Sequence, residues 1–233
     1  MNRSLAIVSL SLLSAGTAHA GVWGFVESDF NSSDWTNSTY TNDGDILSSV
    51  LHQPNGDPAD NGYLSFEFQG ESGSRAQALA LYNGAIYDPG AEGAISQVTF
   101  NMNARILAPG NVTYIPVRLA LEQDGVIFFS SAASVADEHG DWISVGESGV
   151  VAAEFIAYDL ADGSVIEDVL PDFSSEGSEI RFGITHGYIN GYPHESWVVR
   201  DFDDLTIRIT NVPGPGAAGL GALGLLAAGR RKR

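Results

Sequence analysis

The dominant constraint on this chain is a period of two. In SQVTFNMNARIL, Val98, Phe100, Met102, Ala104 and Ile106 share one phase, and Thr99, Asn101, Asn103 and Arg105 share the other. Successive side chains of a strand point to opposite faces, so such a segment reads as a strand with one buried face. YIPVRLALEQ repeats the pattern, with Val117, Leu119 and Leu121 alternating with Arg118, Ala120 and Glu122. Ile180, Phe182 and Ile184 form another such row, as do Leu205, Ile207 and Ile209, and Leu64, Phe66 and Phe68. Clusters such as QPNGDPADNG and YDPGAEGA punctuate the runs as turns. Only SGVVAAEFIAY has room for a helical turn or two. Many half-buried antiparallel strands bury their apolar faces best as two packed sheets. The expectation is an all-β chain, a single antiparallel β-sandwich of jelly-roll type over residues 21–211.

Both ends of the 233-residue chain depart from this pattern. Residues 1–20 read MNRSLAIVSLSLLSAGTAHA: Arg3, an apolar run from Leu5 to Leu13, then Ala18-His19-Ala20 as a small-x-small cleavage site. That is the layout of a secretory signal peptide, with Gly21 as the first mature residue. Residues 212–233 end in a Gly/Ala/Leu run, Gly216 to Gly229, followed by Arg230, Arg231, Lys232 and Arg233. As a helix this run of 14 residues reaches about 21 Å, short of a hydrocarbon core of about 30 Å. Pro213 and Pro215 break the strand before it, and the basic end favours the cytoplasmic side. A short transmembrane segment of this kind suits a tail that pauses in the inner membrane and is then cut.

The tail resembles the PEP-CTERM sorting signal of bacterial envelope proteins. The residues that carry the resemblance are Val212, Pro213 and Pro215, then the apolar run, then Arg230, Arg231, Lys232 and Arg233; Gly214 stands where that signal has an acidic residue. The resemblance implies processing by exosortase, a membrane protease-transpeptidase, followed by release or transfer to the cell surface. The body of the chain is similar to secreted bacterial sandwiches of laminin-G-like or carbohydrate-binding-like type. YNGAIYDPGAEGAISQVTFNMNARI, VRLALEQDGVIFFSS, PDFSSEGSEIRFGI and VVRDFDDLTIRI carry that likeness. It implies fold and an extracellular location, and no particular activity.

Charge narrows the partners. All 29 Asp and Glu lie within residues 21–211, against six arginines and no lysine there, a net charge of −23. Such a surface repels phosphate backbones and anionic membranes, which argues against nucleic acid. With no cysteine, packing must hold the domain, aided at most by a metal ion. Glu27 and Asp29 close the first strand, and Asp201, Asp203 and Asp204 begin the last. If those strands pair, their carboxylates are candidates to share a structural Ca²⁺, which takes 6–8 oxygen ligands. The simpler alternative is that Asp203 or Asp204 pairs with Arg200 or Arg208, or faces water.

The segment HGYINGYPHESW is the richest in polar aromatics, with His186, Tyr188, Asn190, Tyr192, His194 and Trp197. Exposed Tyr or Trp faces flanked by polar groups stack on sugar rings. The segment is the first candidate ligand-binding site, provided its tyrosines point outward; Trp23, Trp35 and Trp142 are further candidates. Catalytic motifs are lacking: no G-x-S-x-G, H-E-x-x-H or Walker loop occurs, and DEHGDW reads as a turn. Three readings are consistent with the sequence. The first is a non-catalytic exported sandwich that binds polysaccharide, the second a Ca²⁺-stabilised adhesive surface protein without a sugar site. The third is a glycoside hydrolase or lyase on a similar sandwich.

Overall fold

A computed structural model describes residues 22–42, 46–53, 62–109, 117–131, 140–190 and 193–212. The signal-peptide segment, Tyr192, Pro213, Pro215 and the basic end lie outside the described residues. Among those described are thirteen strands: β1 (Val22–Glu27), β2 (Trp35–Thr41), β3 (Leu47–Gln53), β4 (Tyr63–Gly70), β5 (Arg75–Tyr87), β6 (Ala94–Pro109), β7 (Val117–Gln123), β8 (Val126–Ser130), β9 (Ile143–Val150), β10 (Phe155–Asp159), β11 (Ser164–Ile166), β12 (Ile180–Ile189) and β13 (Ser196–Val212). A one-turn helix, α1 (Pro89–Glu92), interrupts β5 and β6. Its Asp88 carboxylate accepts from the Gly90 and Ala91 amides, so the predicted YDPGAEGA turn is tightened into a capped helical turn. SGVVAAEFIAY holds one 3-10 turn, Ala152–Glu154.

The strands form two antiparallel sheets. The first has the order β3-β4-β13-β6-β9, with β1 also paired to β13; the second has the order β11-β10-β8-β7-β12-β5-β2. Most consecutive strands lie in opposite sheets, so the chain winds around the core as a jelly roll. The alternating rows do what their period predicts. Val98, Phe100, Met102 and Ala104 are buried in one cluster with Val117, Leu119, Leu121, Phe182, Ile184, Leu205, Ile207 and Ile209.

Strand β13 runs through Val212, which pairs with Ala94, so the last strand extends one residue into the segment assigned to the sorting tail. One edge of β13 is shared by two partners: β4 covers Ser196 to Phe202, and β1 covers Leu205 to Thr210. At the changeover the register against β6 slips between Asp203 and Thr206. Asp204 sits there with φ 52°, a left-handed conformation that Asp tolerates better than most residues. The acidic run RDFDDL thus builds the bulge that lets one long strand serve two neighbours.

The aromatic centre of the core joins both sheets. Phe202 packs edge-on to Phe66 at 5.3 Å and to His186 at 5.9 Å. Phe202→Ala is expected to cost about 3–5 kcal/mol of stability, read from urea unfolding. A loss under about 1 kcal/mol would mean that the two sheets do not meet there.

Candidate functional site

Strand β5 is apolar in both phases. Ala78 and Ala80 face the other sheet, while Leu79 and Leu81 point out of the sandwich; all four are buried. Outward leucines bury only if something covers them. The cover is local: Leu79, Leu81, Ala120 and Phe129 form a second apolar cluster, and Ile127, Tyr158 and Leu160 pack against it. Phe129 and Tyr158 meet with ring centroids 5.0 Å apart. Strand β10 and its turn into β11 therefore curl over the outer face of their own sheet.

The curl brings the two ends of the sheet together. Gly163, in the turn after β10, lies against the ring of Tyr40 on β2 at the opposite edge. A Cβ at Gly163 would sit 2.2 Å from Tyr40 Cε1, and its φ of 72° is left-handed, so both space and backbone require glycine. Beside this contact lies a cleft of about 480 Å³, within the range of about 300–1,000 Å³ typical of small-ligand sites. Every strand of the second sheet contributes to its wall. Tyr40, Phe129 and Tyr158 supply rings, Arg75, Arg118, Gln77 and Asn42 supply polar groups, and Ile156, Val165 and Ile189 are apolar. Tyr40, Gln77 and Gly187 lie side by side in register, so a glycine without a side chain sits next to a tyrosine and an amide.

The polar groups are held in place. The Asn42 carboxamide oxygen accepts from the Arg75 amide at 2.6 Å, and the Arg75 carbonyl accepts from the Asn42 amide at 3.0 Å. Arg118 Nη1 donates to the Ser130 carbonyl at 3.2 Å, and Gln77 donates to the Thr185 hydroxyl. Burial lowers the pKa of the Arg118 guanidinium. Burial also pushes the Tyr158 hydroxyl up; Tyr40 and Asp162 add to this and Arg75 offsets part of it, so these groups share one electrostatic neighbourhood. The cleft wall contains no Asp or Glu among the described residues.

Of the residues expected to bind sugar, Tyr188 borders the cleft between Gly187 and Ile189, but its ring is not offered to it. His186 and Tyr188 do not face outward but lie in the core, because their phase of β12 is the inward one. His186 packs edge-on to Phe66, Phe68 and Phe202, and Tyr188 stacks on Phe68 at 5.6 Å. Tyr188 donates to the Ser196 carbonyl at 2.8 Å. Asn190 donates to the carbonyls of Gly70 and His194, and its backbone bonds Gly73 and Ser74. This segment is a latch on the β4–β5 turn. His194 is exposed, and Trp197 is 56% exposed on the outer face of the first sheet, across the sandwich from the cleft. Trp35 is buried against Phe30, Trp23 packs on Tyr87, and Trp142 covers Arg105.

The five candidate Ca²⁺ ligands are divided by the sheet. Strands β1 and β13 do pair, with Glu27 opposite Leu205. Glu27, however, points inward. Its carboxylate accepts from the amides of Asp29 and Phe30, and its hydrogen bond with Tyr82 is the first cause that pushes that hydroxyl up to about 12. Asp201 and Asp203 point to the outer face. Asp201 pairs with Arg105 at 2.9 Å, Asp203 accepts from the Asp204 amide at 2.7 Å, and Asp204 accepts from Asn103 at 2.9 Å. Burial raises the pKa of Asp201, with Ser65 and Arg105 acting against it, and burial raises Asp203 as well. Asp29 is exposed. Among the described residues no group of three or more His, Asp or Glu is arranged to hold a metal ion, and no helix is long and apolar enough to cross a membrane.

No protein-family model matches this chain, and neither does any curated protein. Similar solved structures include the family 11 carbohydrate-binding module from Clostridium thermocellum in complex with a β-1,3-1,4-mixed-linked tetrasaccharide, at 9% identity, 81% coverage of this chain, 96% of that one and a TM-score of 0.42. A C-terminal family 22 carbohydrate-binding module from the same organism is similar at 9% identity, 82% and 95% coverage and a TM-score of 0.41. The lectin UEA-II complexed with galactose matches at 9% identity, 82% and 99% coverage and a TM-score of 0.41. No residue role passes from these proteins to this chain.

Arg105 is held over the rings of Trp142 at 4.4 Å and Tyr63 at 5.3 Å while it pairs with the fully buried Asp201. Arg105→Ala would leave that carboxylate buried without its cation, at an expected cost of about 3–5 kcal/mol. Chemical denaturation measures it, and Arg105→Met with Asp201→Leu is expected to recover most of the loss. Equal losses in the single and double variants would contradict the pairing.

Proposed function

We propose that this chain is an exported, non-catalytic saccharide-binding protein that takes its ligand in the cleft on the outer face of the second sheet. The cleft is the observation that carries the reading. It joins ring faces (Tyr40, Tyr158) to hydrogen-bonding groups (Gln77, Asn42, Arg75, Arg118) on a preformed wall. Sugar rings need that pairing, since their C–H faces pack on aromatic surfaces and their hydroxyls take directional hydrogen bonds. Glycosidic hydrolysis uses two carboxyl groups flanking the bond. The described wall offers none, which favours binding over cleavage at this site.

The ends of the chain supply the rest of the proposal. Residues 1–20 direct export and are removed. Residues 212–233, with Pro213, Pro215 and the basic cluster from Arg230 to Arg233, hold the protein briefly at the inner membrane for an exosortase-type protease. The folded part then works at the cell surface or in the extracellular matrix, where polysaccharide is abundant. Its strongly negative net charge suits a soluble, unaggregated domain.

The full chain is expected to retain ligands on a glycan array. Tyr158→Ala is expected to weaken binding about tenfold, the loss of one ring contact worth about 1.4 kcal/mol. Because Tyr158 also packs on Phe129 over the outer cluster, the variant's melting temperature is expected to fall as well, and binding is compared well below both melting points. An array without any saccharide signal, or full retention by the Tyr158 variant, would reject this site.

A further inference from the structure

The charge of the cleft is opposite to that of the protein. Residues 21–211 carry 29 carboxylates and six arginines. Two of those six, Arg75 and Arg118, lie in the cleft, and no carboxylate shares its described wall. Of the other four, Arg105 pairs with Asp201 and Arg181 pairs with Glu122. Arg200 is buried in the first sheet, and Arg208 is exposed on the outer face of that same sheet. Neither Arg75 nor Arg118 makes an ion pair with a carboxylate among the described residues.

The described acidic groups of the turn beside the cleft have local partners. Asp159 and Asp162 belong to the turn that curls over the sheet. The Asp159 carboxylate accepts from the Ala161 amide at 2.8 Å, and that of Asp162 from the Ser164 amide at 2.9 Å. Both help to hold the turn. Arg118 is tethered through Nη1 to the Ser130 carbonyl, which fixes the guanidinium while leaving its other donors to a ligand. In a chain this acidic, two arginines that form no ion pair among the described residues are placed for an anion from outside.

We propose that the cleft selects acidic saccharides, sugars carrying carboxylate or sulfate groups, over neutral ones; this rests on the saccharide-binding reading above. Guanidinium groups bind such anions through paired, charge-assisted hydrogen bonds, and a half-buried cleft screens them less than open solvent does. The acidic exterior repels a long polyanion approaching from solution. A short acidic oligosaccharide, or an acidic unit within a largely neutral chain, is therefore the fitting ligand.

Titration calorimetry on the full chain tests this with a short oligogalacturonate, its methyl ester, and a sulfated galactose oligomer. The ester keeps the sugar ring and removes the charge. An acidic probe is expected to bind at least tenfold more tightly than the ester, and the better of the two acidic probes identifies the anion. Arg75→Gln and Arg118→Gln should each weaken binding of the acidic probe far more than binding of the ester, removing most of that preference. Arg75 is exposed, so its variant is expected to fold even where Arg118→Gln does not. Equal affinity for acid and ester, unchanged in Arg75→Gln but weakened in Tyr158→Ala, would overturn the preference and leave the saccharide site standing. Absence of binding to all three probes, together with an empty glycan array, would overturn both.

Discussion

Leu79 and Leu81 point away from the core, yet both are buried. That requirement organises the second sheet. A sheet in a sandwich normally buries one face and leaves the other to water. Here the middle of the sheet is apolar on both, so its outer face must be covered by part of the same chain. The hairpin of β10 and β11 does this, and its turn reaches Tyr40 at the far edge because residue 163 is glycine. The cleft is the space left beside that closure. Its rings and arginines are consequences of which outward positions the curl leaves uncovered.

The acidic residues follow a different logic. Most face water, but those near the start of β13 are structural. Asp201 neutralises Arg105 between two aromatic rings, and Asp203 and Asp204 shape a bulge. Glu27 caps the bend after β1 from the opposite side of the sheet. Four carboxylates close together in sequence or across paired strands thus satisfy four separate backbone and side-chain demands. The sheet between them separates groups that a flat reading of the sequence places in one cluster.

The strand cores were legible because alternation translates directly into burial: each of the rows Leu64–Phe68, Val98–Ile106, Val117–Leu121, Ile180–Ile184 and Leu205–Ile209 is buried on the predicted phase. The pairing of first and last strands was also legible. The cleft was not, because it is assembled from one to three residues on each of seven strands, and no local run of sequence shows that Tyr40 and Gly163 meet. The signals nearest to it were the outward phase of Arg118 in VRLALEQ and the two-phase apolarity of QALALY. HGYINGYPHESW gives Gly187, Tyr188 and Ile189 to the cleft wall, though its rings are not arranged as its composition suggests. Composition marks it as polar and aromatic, but in β12 the phase turns His186 and Tyr188 inward, where a tyrosine hydroxyl and an asparagine amide serve to close a turn.

Chemical-shift mapping tests the central claim most directly, since it asks where on the molecule a saccharide lands. With labelled full-length protein titrated by an oligosaccharide ligand, amide shifts are expected to concentrate at Gly163, Val165, Gly187 and Ile189 around the cleft. Shifts concentrated at His194, Trp197 and Arg208, on the outer face of the first sheet, would contradict the account.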